Sequence, residues 1–298
     1  MLMRGLMMET PLLVSSIIRH AALNHGDTEI VSRNAAGTKH RYTYAAAYRR
    51  ACRLANALTE RGIGEGDTVG TLAFNHYRHF EAYYGISGTG AVCHTINPRL
   101  FHDQIVYIIN HADDAYVLFD PCFIEMVEQH AARCRGVKGW IAMCEQSEMP
   151  ASSLGNLICY EDLIAGRPDH YDWPVLDENA ACGLCYTSGT TGDPKGVLYS
   201  HRSTVLHAMT SALPDAMNLS ARDTIMPVSS MFHVMAWGLP YSSAMVGAKL
   251  VLPGPKLDPD SLCQLFEEEA VSITAGVPTI WLGLIAHLKQ NGARLGTL

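Results

Sequence analysis

The sequence contains little charge of either sign. Asp, Glu, Lys and Arg together supply 17% of the 298 residues, and acidic residues outnumber basic ones by 29 to 22. A protein that binds nucleic acid without sequence preference presents a basic surface, so a net charge of -7 argues against that class. The hydrophobic fraction of 48% is enough to build a buried core, and the composition is not that of a disordered chain.

No hydrophobic run is both long and uninterrupted. The longest, residues 231–252, contains His233, Pro240 and Lys249, whereas a transmembrane helix needs about 20 consecutive apolar residues. The first nine residues are mostly apolar, but this stretch is too short for a secretory signal. We therefore predict a cytoplasmic protein without a transmembrane segment.

The nine cysteines lack the spacing of a disulfide framework. In a chain of this length, such cysteines indicate reduced thiols in a cytosolic protein. Cys182 and Cys185 have CxxC spacing, which leaves a redox or zinc role open, but no second pair of ligands accompanies them. Because both lie in an apparent strand, we favour buried strand residues.

Strand-like and helix-like segments alternate along the chain, which predicts an α/β fold with parallel strands and helices on both faces. Residues 145–157 are small and polar, so we predict a loop there. This loop separates a first α/β unit, residues 1–150, from a second, residues 151–298. Strands are predicted at residues 29–32, 41–44, 69–74, 91–96, 116–120, 140–143, 181–186, 224–228, 249–252 and 272–275. Helices are predicted at residues 10–25, 45–61, 77–90, 102–111, 122–134, 201–212, 232–246 (in most of its length), 259–270 and 278–289.

Glycines and hydroxyl side chains are concentrated in residues 186–197, Tyr-Thr-Ser-Gly-Thr-Thr-Gly-Asp-Pro-Lys-Gly-Val. Glycine lets backbone N–H groups approach a ligand closely, and successive N–H groups form a concavity that binds anions. Hydroxyls add donors, and a lysine adds a positive point charge. This composition predicts a phosphate-binding loop rather than a plain surface turn. Its order is neither a Walker A motif nor GxGxxG, which disfavours a kinase-like ATPase and a dinucleotide-binding protein.

The loop resembles the signature loop of the adenylate-forming superfamily, which includes acyl-CoA synthetases, luciferases and peptide-synthetase adenylation domains. Other segments resemble one branch of it, the bacterial medium- and long-chain fatty-acid CoA ligases. Those segments are residues 83–88, 93–100, 106–112, 198–204, 231–234, 236–238 and 276–279. The resemblance implies two mostly parallel sheets flanked by helices, an incomplete form of the family's large N-terminal domain.

The resemblance also implies a reaction. An acid would be joined to the α-phosphate of ATP with Mg²⁺, and coenzyme A would then attack the acyl-adenylate. A fatty acid, ATP and coenzyme A would be the substrates, and a homodimer is one option. The family's later motifs for adenine, ribose and the small C-terminal domain lie beyond residue 298, so we expect the isolated chain to be inactive. A ligase for another small carboxylic acid, and a truncated module that acts by binding or dimerisation, stay open as alternatives.

Individual residues take roles from the same resemblance. Thr187 would offer its hydroxyl to the metal or the phosphates, and Lys195 would bind phosphate in the adenylation step, unless it only stabilises the loop. His233 would lie beside the reacting carboxylate, although a lone histidine in an apolar run is more often a core residue. Trp237 would border the acyl tunnel or pack as a core aromatic, and Gly276 would let the acyl chain pass close to the backbone. The residues expected to cradle the β- and γ-phosphates are Ser188, Gly189, Thr190, Thr191 and Gly192.

Two positions depart from the pattern of this branch. Ser230 stands where proline is usual before Met-Phe-His, and Met235 stands where asparagine is usual. Proline fixes φ and asparagine supplies polar donors. We therefore expect the loop shape and the hydrogen bonding next to His233 to differ from those of the branch.

Overall fold

The computed structural model describes residues 7–34, 37–187 and 192–298, together with Met3 and Gly5. The strands are β1 (Glu29–Arg33), β2 (Lys39–Thr43), β3 (Thr68–Leu72), β4 (Val92–Thr95), β5 (Asp114–Phe119), β6 (Gly139–Ala142), β7 (Leu157–Cys159), β8 (Ala181–Tyr186), β9 (Gly196–Ser200), β10 (Thr224–Pro227), β11 (Lys249–Leu252) and β12 (Ile273–Ala275). The helices are α1 (Val14–Asn24), α2 (Tyr44–Thr59), α3 (Tyr77–Ser87), α4 (His102–His111), α5 (Ile124–Ala131), α6 (Tyr160–Ile164), α7 (His201–Ser211), α8 (Leu239–Val246), α9 (Pro259–Glu268) and α10 (Pro278–Asn291).

The described strands form two sheets. One has seven strands in the order β7-β6-β5-β3-β4-β8-β9, and the other has five in the order β12-β10-β11-β1-β2. Pairing is antiparallel for β8 with β9 and for β1 with β2, and parallel for the remaining described pairs. The predicted α/β fold with mostly parallel sheets is therefore confirmed.

Each sheet takes strands from both sides of residue 150. In the five-stranded sheet Ile30 is paired with Leu250, and in the seven-stranded sheet Cys93 is paired with Gly183. The division at residue 150 therefore does not follow the sheets. The physical reason is that parallel strands are joined by long crossovers, so sequence neighbours need not share a sheet.

Two predicted segments between residues 121 and 160 differ from the structure. The predicted loop at residues 145–157 ends in a short strand, β7, which the helix α6 follows directly. The predicted helix at residues 122–134 is shorter and begins with the 3-10 turn Pro121–Phe123 before α5. Elements of three to five residues give too little periodicity to be recognised in a sequence.

Helix α3 is buried along its whole length, so its polar groups need partners within the protein. The carboxylate of Glu81 accepts hydrogen bonds from Arg50 Nε and from the hydroxyl of Tyr160, both at 2.7 Å. The Tyr84 hydroxyl donates to the carbonyl of Pro240 at 3.0 Å, and the Tyr83 hydroxyl donates to that of Met231. Helix α3 therefore fixes the start of the segment that carries His233.

A buried carboxylate joins the edge of the five-stranded sheet to the end of α9. The Glu269 side chain is 1% exposed and forms ion pairs with Lys39 at 2.7 Å, Arg41 at 2.5 Å and Lys249 at 3.0 Å. Burial acts to raise the pKa of Glu269, but the hydrogen bonds from these cations outweigh it and lower the pKa to about 2. The carboxylate is therefore ionised in the folded chain at neutral pH.

Candidate functional site

The strands β8 and β9 form the neck of the predicted phosphate-binding loop. The Thr187 N–H donates to the carbonyl of Lys195 at 3.0 Å, and the Lys195 N–H donates to Thr187 Oγ1 at 3.2 Å. The side chain of Thr187 thus helps to close the loop. A hydroxyl oxygen that accepts one bond keeps its own O–H and a second lone pair, so this bond is compatible with a ligand at Thr187.

The remaining described loop residues leave space for a ligand. Lys195 is exposed. Gly192 has φ +147°, in the region that favours glycine, and nothing lies within 4 Å of the place that a Cβ would take. The predicted phosphate-cradling residues Ser188, Gly189, Thr190 and Thr191 lie outside the described residues.

Tyr186 braces the loop neck, a role that the sequence analysis missed. Its hydroxyl pairs with Nδ1 of His111 on α4 at 2.7 Å. Its ring covers Gly196, where a Cβ would approach Tyr186 Cζ to 3.3 Å. Burial raises the pKa of Tyr186 to about 12, so the phenol stays protonated and can donate to His111.

The segment after His233 has an unusual backbone. Val234, Met235, Ala236 and Trp237 have φ of 47°, 48°, 51° and 56°, and Gly238 follows with φ 70° and ψ 5°. We call residues 234–238 the left-handed turn. The predicted helix at residues 232–246 is therefore wrong over its first part, because a right-handed helix begins only at Leu239.

The handedness of the turn decides which side chains are buried. Met235 and Ala236 are 4% and 0% exposed, whereas Val234 and Trp237 are 37% and 39% exposed. His233, at the entrance to the turn, is also exposed. The turn therefore presents two of the predicted substrate residues, His233 and Trp237, to solvent, and neither is a core residue.

The left-handed turn packs against the strand that leads into the phosphate loop. A Cβ at Gly183 of β8 would lie 2.6 Å from Met235 Sδ, so only glycine leaves room for this side chain. Burial raises the pKa of the Cys185 thiol, also in β8, and the nearby Thr95 hydroxyl and backbone of Met235 and Val234 oppose this rise. Cys185 is two residues before Thr187, so the structure brings the start of the loop and the segment of His233 together.

A buried amide organises the segment before His233. Asn75 Nδ2 donates to the carbonyls of Pro227 and Ser229, both at 2.9 Å, and Asn75 Oδ1 accepts from the Met231 N–H at 2.7 Å. The sequence analysis missed Asn75. Its signal in the sequence is weak, because it is a single amide that follows a strand.

Gly276 lies against a tryptophan ring. A Cβ there would lie 2.8 Å from the Trp281 indole and 3.3 Å from Val228 Cβ. The Trp281 Nε1–H also donates to the carbonyl of Gly276 at 2.9 Å. Trp281 and Val228 thus take the space on the side of Gly276 where a Cβ would lie.

The CxxC pair consists of buried strand residues, as we favoured. The Cys182 thiol lies 3.3 Å from the Thr204 hydroxyl, and the Cys185 thiol lies 3.0 Å from that of Thr95. Burial raises the pKa of the Cys182 thiol to about 12. Across the residues that the structure describes, no three His, Cys, Asp or Glu side chains converge as a metal site requires. Within the same residues, no helix has the length and apolar character needed to cross a membrane.

Comparison with known proteins identifies the family to which this chain belongs. The AMP-binding enzyme family matches residues 18–298, so the chain belongs to that family. Among solved structures, the anthranilate CoA ligase AuaEII with anthranoyl-AMP superposes over 99% of this chain and 55% of its own, with a TM-score of 0.86 and 20% identity. The N-terminal domain of FACL13 from Mycobacterium tuberculosis gives a TM-score of 0.82 at 24% identity, over 96% of this chain and 68% of that one. These likenesses show that the fold is that of the N-terminal domain of adenylate-forming ligases.

Curated relatives are more similar in sequence. The medium-chain-fatty-acid–CoA ligase of Ectopseudomonas oleovorans is 52% identical over 99% of this chain and 54% of its own length. The 3-methylmercaptopropionyl-CoA ligase of Ruegeria lacuscaerulensis is 50% identical over 99% of this chain and 55% of its own. The long-chain-fatty-acid–CoA ligase of Thermus thermophilus is 48% identical over 98% of this chain and 52% of its own. The chain therefore spans about half the length of the curated relatives it matches.

Proposed function

We propose that this chain is the N-terminal part of a cytoplasmic fatty-acid CoA ligase that activates a medium- or long-chain acid with ATP and transfers it to coenzyme A. One observation carries the proposal: the left-handed turn that follows His233 packs through Met235 on Gly183 of β8, the strand that leads into the closed neck of the phosphate loop. The acid and the triphosphate would thereby meet at one edge of the seven-stranded sheet. The relatives named for medium- and long-chain acids support the substrate class.

A second acid is favoured by a specific observation. A relative named for 3-methylmercaptopropionate is 50% identical to this chain, close to the 52% of the medium-chain relative. Identity at this level does not separate a short sulfur-containing acid from a fatty acid. The two candidates differ in the apolar length that the site must cover, so a series of acids distinguishes them.

The residues present fit the groups that the reaction needs. The exposed ammonium of Lys195 and the open space at Gly192 suit a polyphosphate. The Thr187 hydroxyl is a suitable oxygen ligand for Mg²⁺, a metal that prefers oxygen donors. When bound, Mg²⁺ neutralises phosphate charge and makes the α-phosphate more electrophilic.

The first step brings two anions together, the acid carboxylate and the triphosphate. Lys195 and the loop N–H groups would bind the β- and γ-phosphates and offset this repulsion. Thr187 would hold its hydroxyl at the neck of the loop, oriented by its bond from the Lys195 N–H. His233 would position the carboxylate, while Trp237 would border the acyl chain. Gly276 would let the acyl chain pass close to the backbone.

We expect the 298-residue chain to bind ATP but not to turn it over, because its relatives are almost twice as long. The test is ATP–pyrophosphate exchange with acids from C4 to C18 and with 3-methylmercaptopropionate. It is run on the chain itself and on a chimaera whose remaining length comes from the E. oleovorans relative. Exchange by the chimaera alone supports the proposal. If the chimaera shows no exchange and the 298-residue chain binds a partner or forms a dimer, the truncated-module alternative is favoured.

The variant Lys195→Ala tests the phosphate loop directly. A charged hydrogen bond contributes roughly 1.5–3 kcal/mol, so the Kd for ATP should rise about 10- to 150-fold. The matched control is Lys138→Ala, an exposed lysine in the turn before β6, which should leave the Kd unchanged. Equal ATP affinities for the two variants would refute the assignment of the loop. Calorimetry provides the measurement.

A further inference from the structure

The left-handed turn is a conformation that the chain would not adopt on its own. A left-handed backbone costs L-residues about 1–2 kcal/mol each, and four successive residues other than glycine, Val234 to Trp237, adopt it. Val234 is β-branched, for which positive φ is rarer still. Contacts from other elements must therefore hold the turn, and such strain persists mainly at functional sites.

Two of these contacts come from the seven-stranded sheet. Gly183 leaves the space that Met235 fills, and the Cys185 thiol lies near the backbone of Val234 and Met235. Both anchor the buried side of the turn. Neither reaches its exposed end, where Trp237 lies.

The third contact comes from helix α7 and holds the exposed end. His207 Nε2 donates to the carbonyl of Trp237 at 3.0 Å. The imidazole also packs on the next residue, since a Cβ at Gly238 would lie 2.5 Å from His207 Cδ2. Gly238 thus has two reasons to be glycine, its φ of +70° and the histidine ring above it.

We propose that His207 is a positioning residue for the acid site, because it holds the turn in the left-handed state that presents His233 and Trp237. The inference rests on the proposed function for the identity of the ligand, an alkyl carboxylic acid. Without the bond from His207, the end of the turn relaxes towards right-handed or extended backbone. Trp237 then leaves its place, and the population that is able to bind the acid falls.

The test first measures the turn itself. Amide hydrogen exchange of residues 234–239 is compared in the wild-type chain, His207→Ala, His207→Gln and Met209→Ala. A neutral hydrogen bond corresponds to about a fivefold change in a local equilibrium, so His207→Ala should exchange about fivefold faster. His207→Gln keeps an N–H donor at a similar reach and should restore the wild-type rate. Met209, an exposed residue on the same helix, serves as the control and should change nothing. Unchanged exchange in His207→Ala overturns the proposal.

The second arm measures binding to the same four proteins, with octanoate as the acid probe and Mg–ATP as the reference. We expect octanoate to bind two- to fivefold more weakly to His207→Ala, with recovery in His207→Gln and an unchanged Kd for Mg–ATP. A parallel loss of both affinities would mean a general structural defect and would overturn the proposal. Faster amide exchange in His207→Ala with an unaltered affinity for octanoate would also overturn it. The same holds if the wild-type chain binds Mg–ATP but no octanoate. Absence of Mg–ATP binding in the wild type would instead refute the proposed function.

Discussion

The substitution Asn75→Ala tests whether one buried amide supports the segment that leads to His233. Its side chain makes three hydrogen bonds to backbone groups at Pro227, Ser229 and Met231, and it is 4% exposed. Each such bond contributes about 1 kcal/mol, and a buried group left without a partner costs about 1–3 kcal/mol. Because water has little access, we expect Asn75→Ala to lower the free energy of unfolding by about 3–5 kcal/mol.

The control is a second asparagine that bonds to backbone groups but is only half-buried. The two protons of Asn56 Nδ2 are shared among the carbonyls of Cys52, Pro168 and His170, which lie at 2.9–3.1 Å, and water can replace the amide there. Asn56→Ala should therefore cost only about 1 kcal/mol. Urea unfolding followed by circular dichroism measures both variants. Equal losses for the two, or a loss under about 1 kcal/mol for Asn75→Ala, would refute the reasoning.

A third variant separates the acceptor from the donors. Asn75→Asp keeps an oxygen for the Met231 N–H but turns a second oxygen, without a proton, towards two carbonyls. At neutral pH it should be at least as destabilising as Asn75→Ala, since like partial charges then face each other in a buried site. At low pH the protonated acid regains one donor, so the difference between Asp and Ala should narrow. A constant difference from pH 7 to pH 4 would contradict this assignment of the three bonds.

Three further substitutions test separate contacts. The pKa of Glu269 is about 2 when folded against a usual value of 4.5, so its contribution is present above pH 4.5 and is lost as the pH falls from 4.5 towards 2. Glu269→Gln should lower the free energy of unfolding by about 2 kcal/mol at pH 7, after allowance for solvent screening of its partly exposed cations. If the urea midpoint of the variant depended on pH as the wild-type midpoint does, this assignment would be wrong. Gly183→Ala should lower the free energy of unfolding by about 1–3 kcal/mol, because the new methyl group displaces Met235. In a chain that also carries Met235→Ala the same substitution should cost less. Strictly additive losses in the double variant would contradict the contact between Gly183 and Met235. At Gly247 the backbone φ is +73°, and a Cβ would lie 2.1 Å from the His25 ring. Gly247→Ala should therefore lower the free energy of unfolding by about 2–4 kcal/mol. An unchanged melting temperature would exclude the clash.

Local signals account for what the sequence predicted well. The strand β8 and the helix α4 were predicted with the bounds that the structure shows, because each has a run of apolar residues and clear flanking residues. The closed ends of the phosphate loop also follow from local chemistry. A strand, a glycine-rich stretch and a second apolar run form a hairpin whose ends bond through Thr187 and Lys195.

Distant contacts account for what the sequence could not predict. The apolar residues after His233 fit a helix by their spacing, whereas the observed turn of opposite hand is held by contacts with residues distant in sequence, among them Gly183 and His207. Met235 was expected to alter the hydrogen bonding beside His233. In the structure it fills the space over Gly183, a contact that no pattern of neighbouring residues encodes.

The order of strands in the two sheets also depends on distant contacts and could not be predicted from the sequence. The sequence predicts strands close to β1 and β2, yet it contains nothing about β11, which pairs with β1 on the side opposite to β2. Likewise, the polar loop at residues 145–157 suggested a boundary, although β7 directly after it adds to the sheet of the first half. Strand neighbours in a parallel sheet are chosen by packing, not by proximity in the chain.

The pairing of β1 with β11 has a consequence during synthesis of the protein. Ile30 leaves the ribosome roughly 220 residues before its partner Leu250, which at about 5–20 residues per second is a wait of roughly 10–45 s. Throughout that time the side of β1 that later pairs with β11 stays open, and Ile30 and Val31 are paired with β2 alone. The nascent chain is therefore most exposed to misassociation before β11 is made, and chaperone demand should fall sharply once residue 252 has emerged.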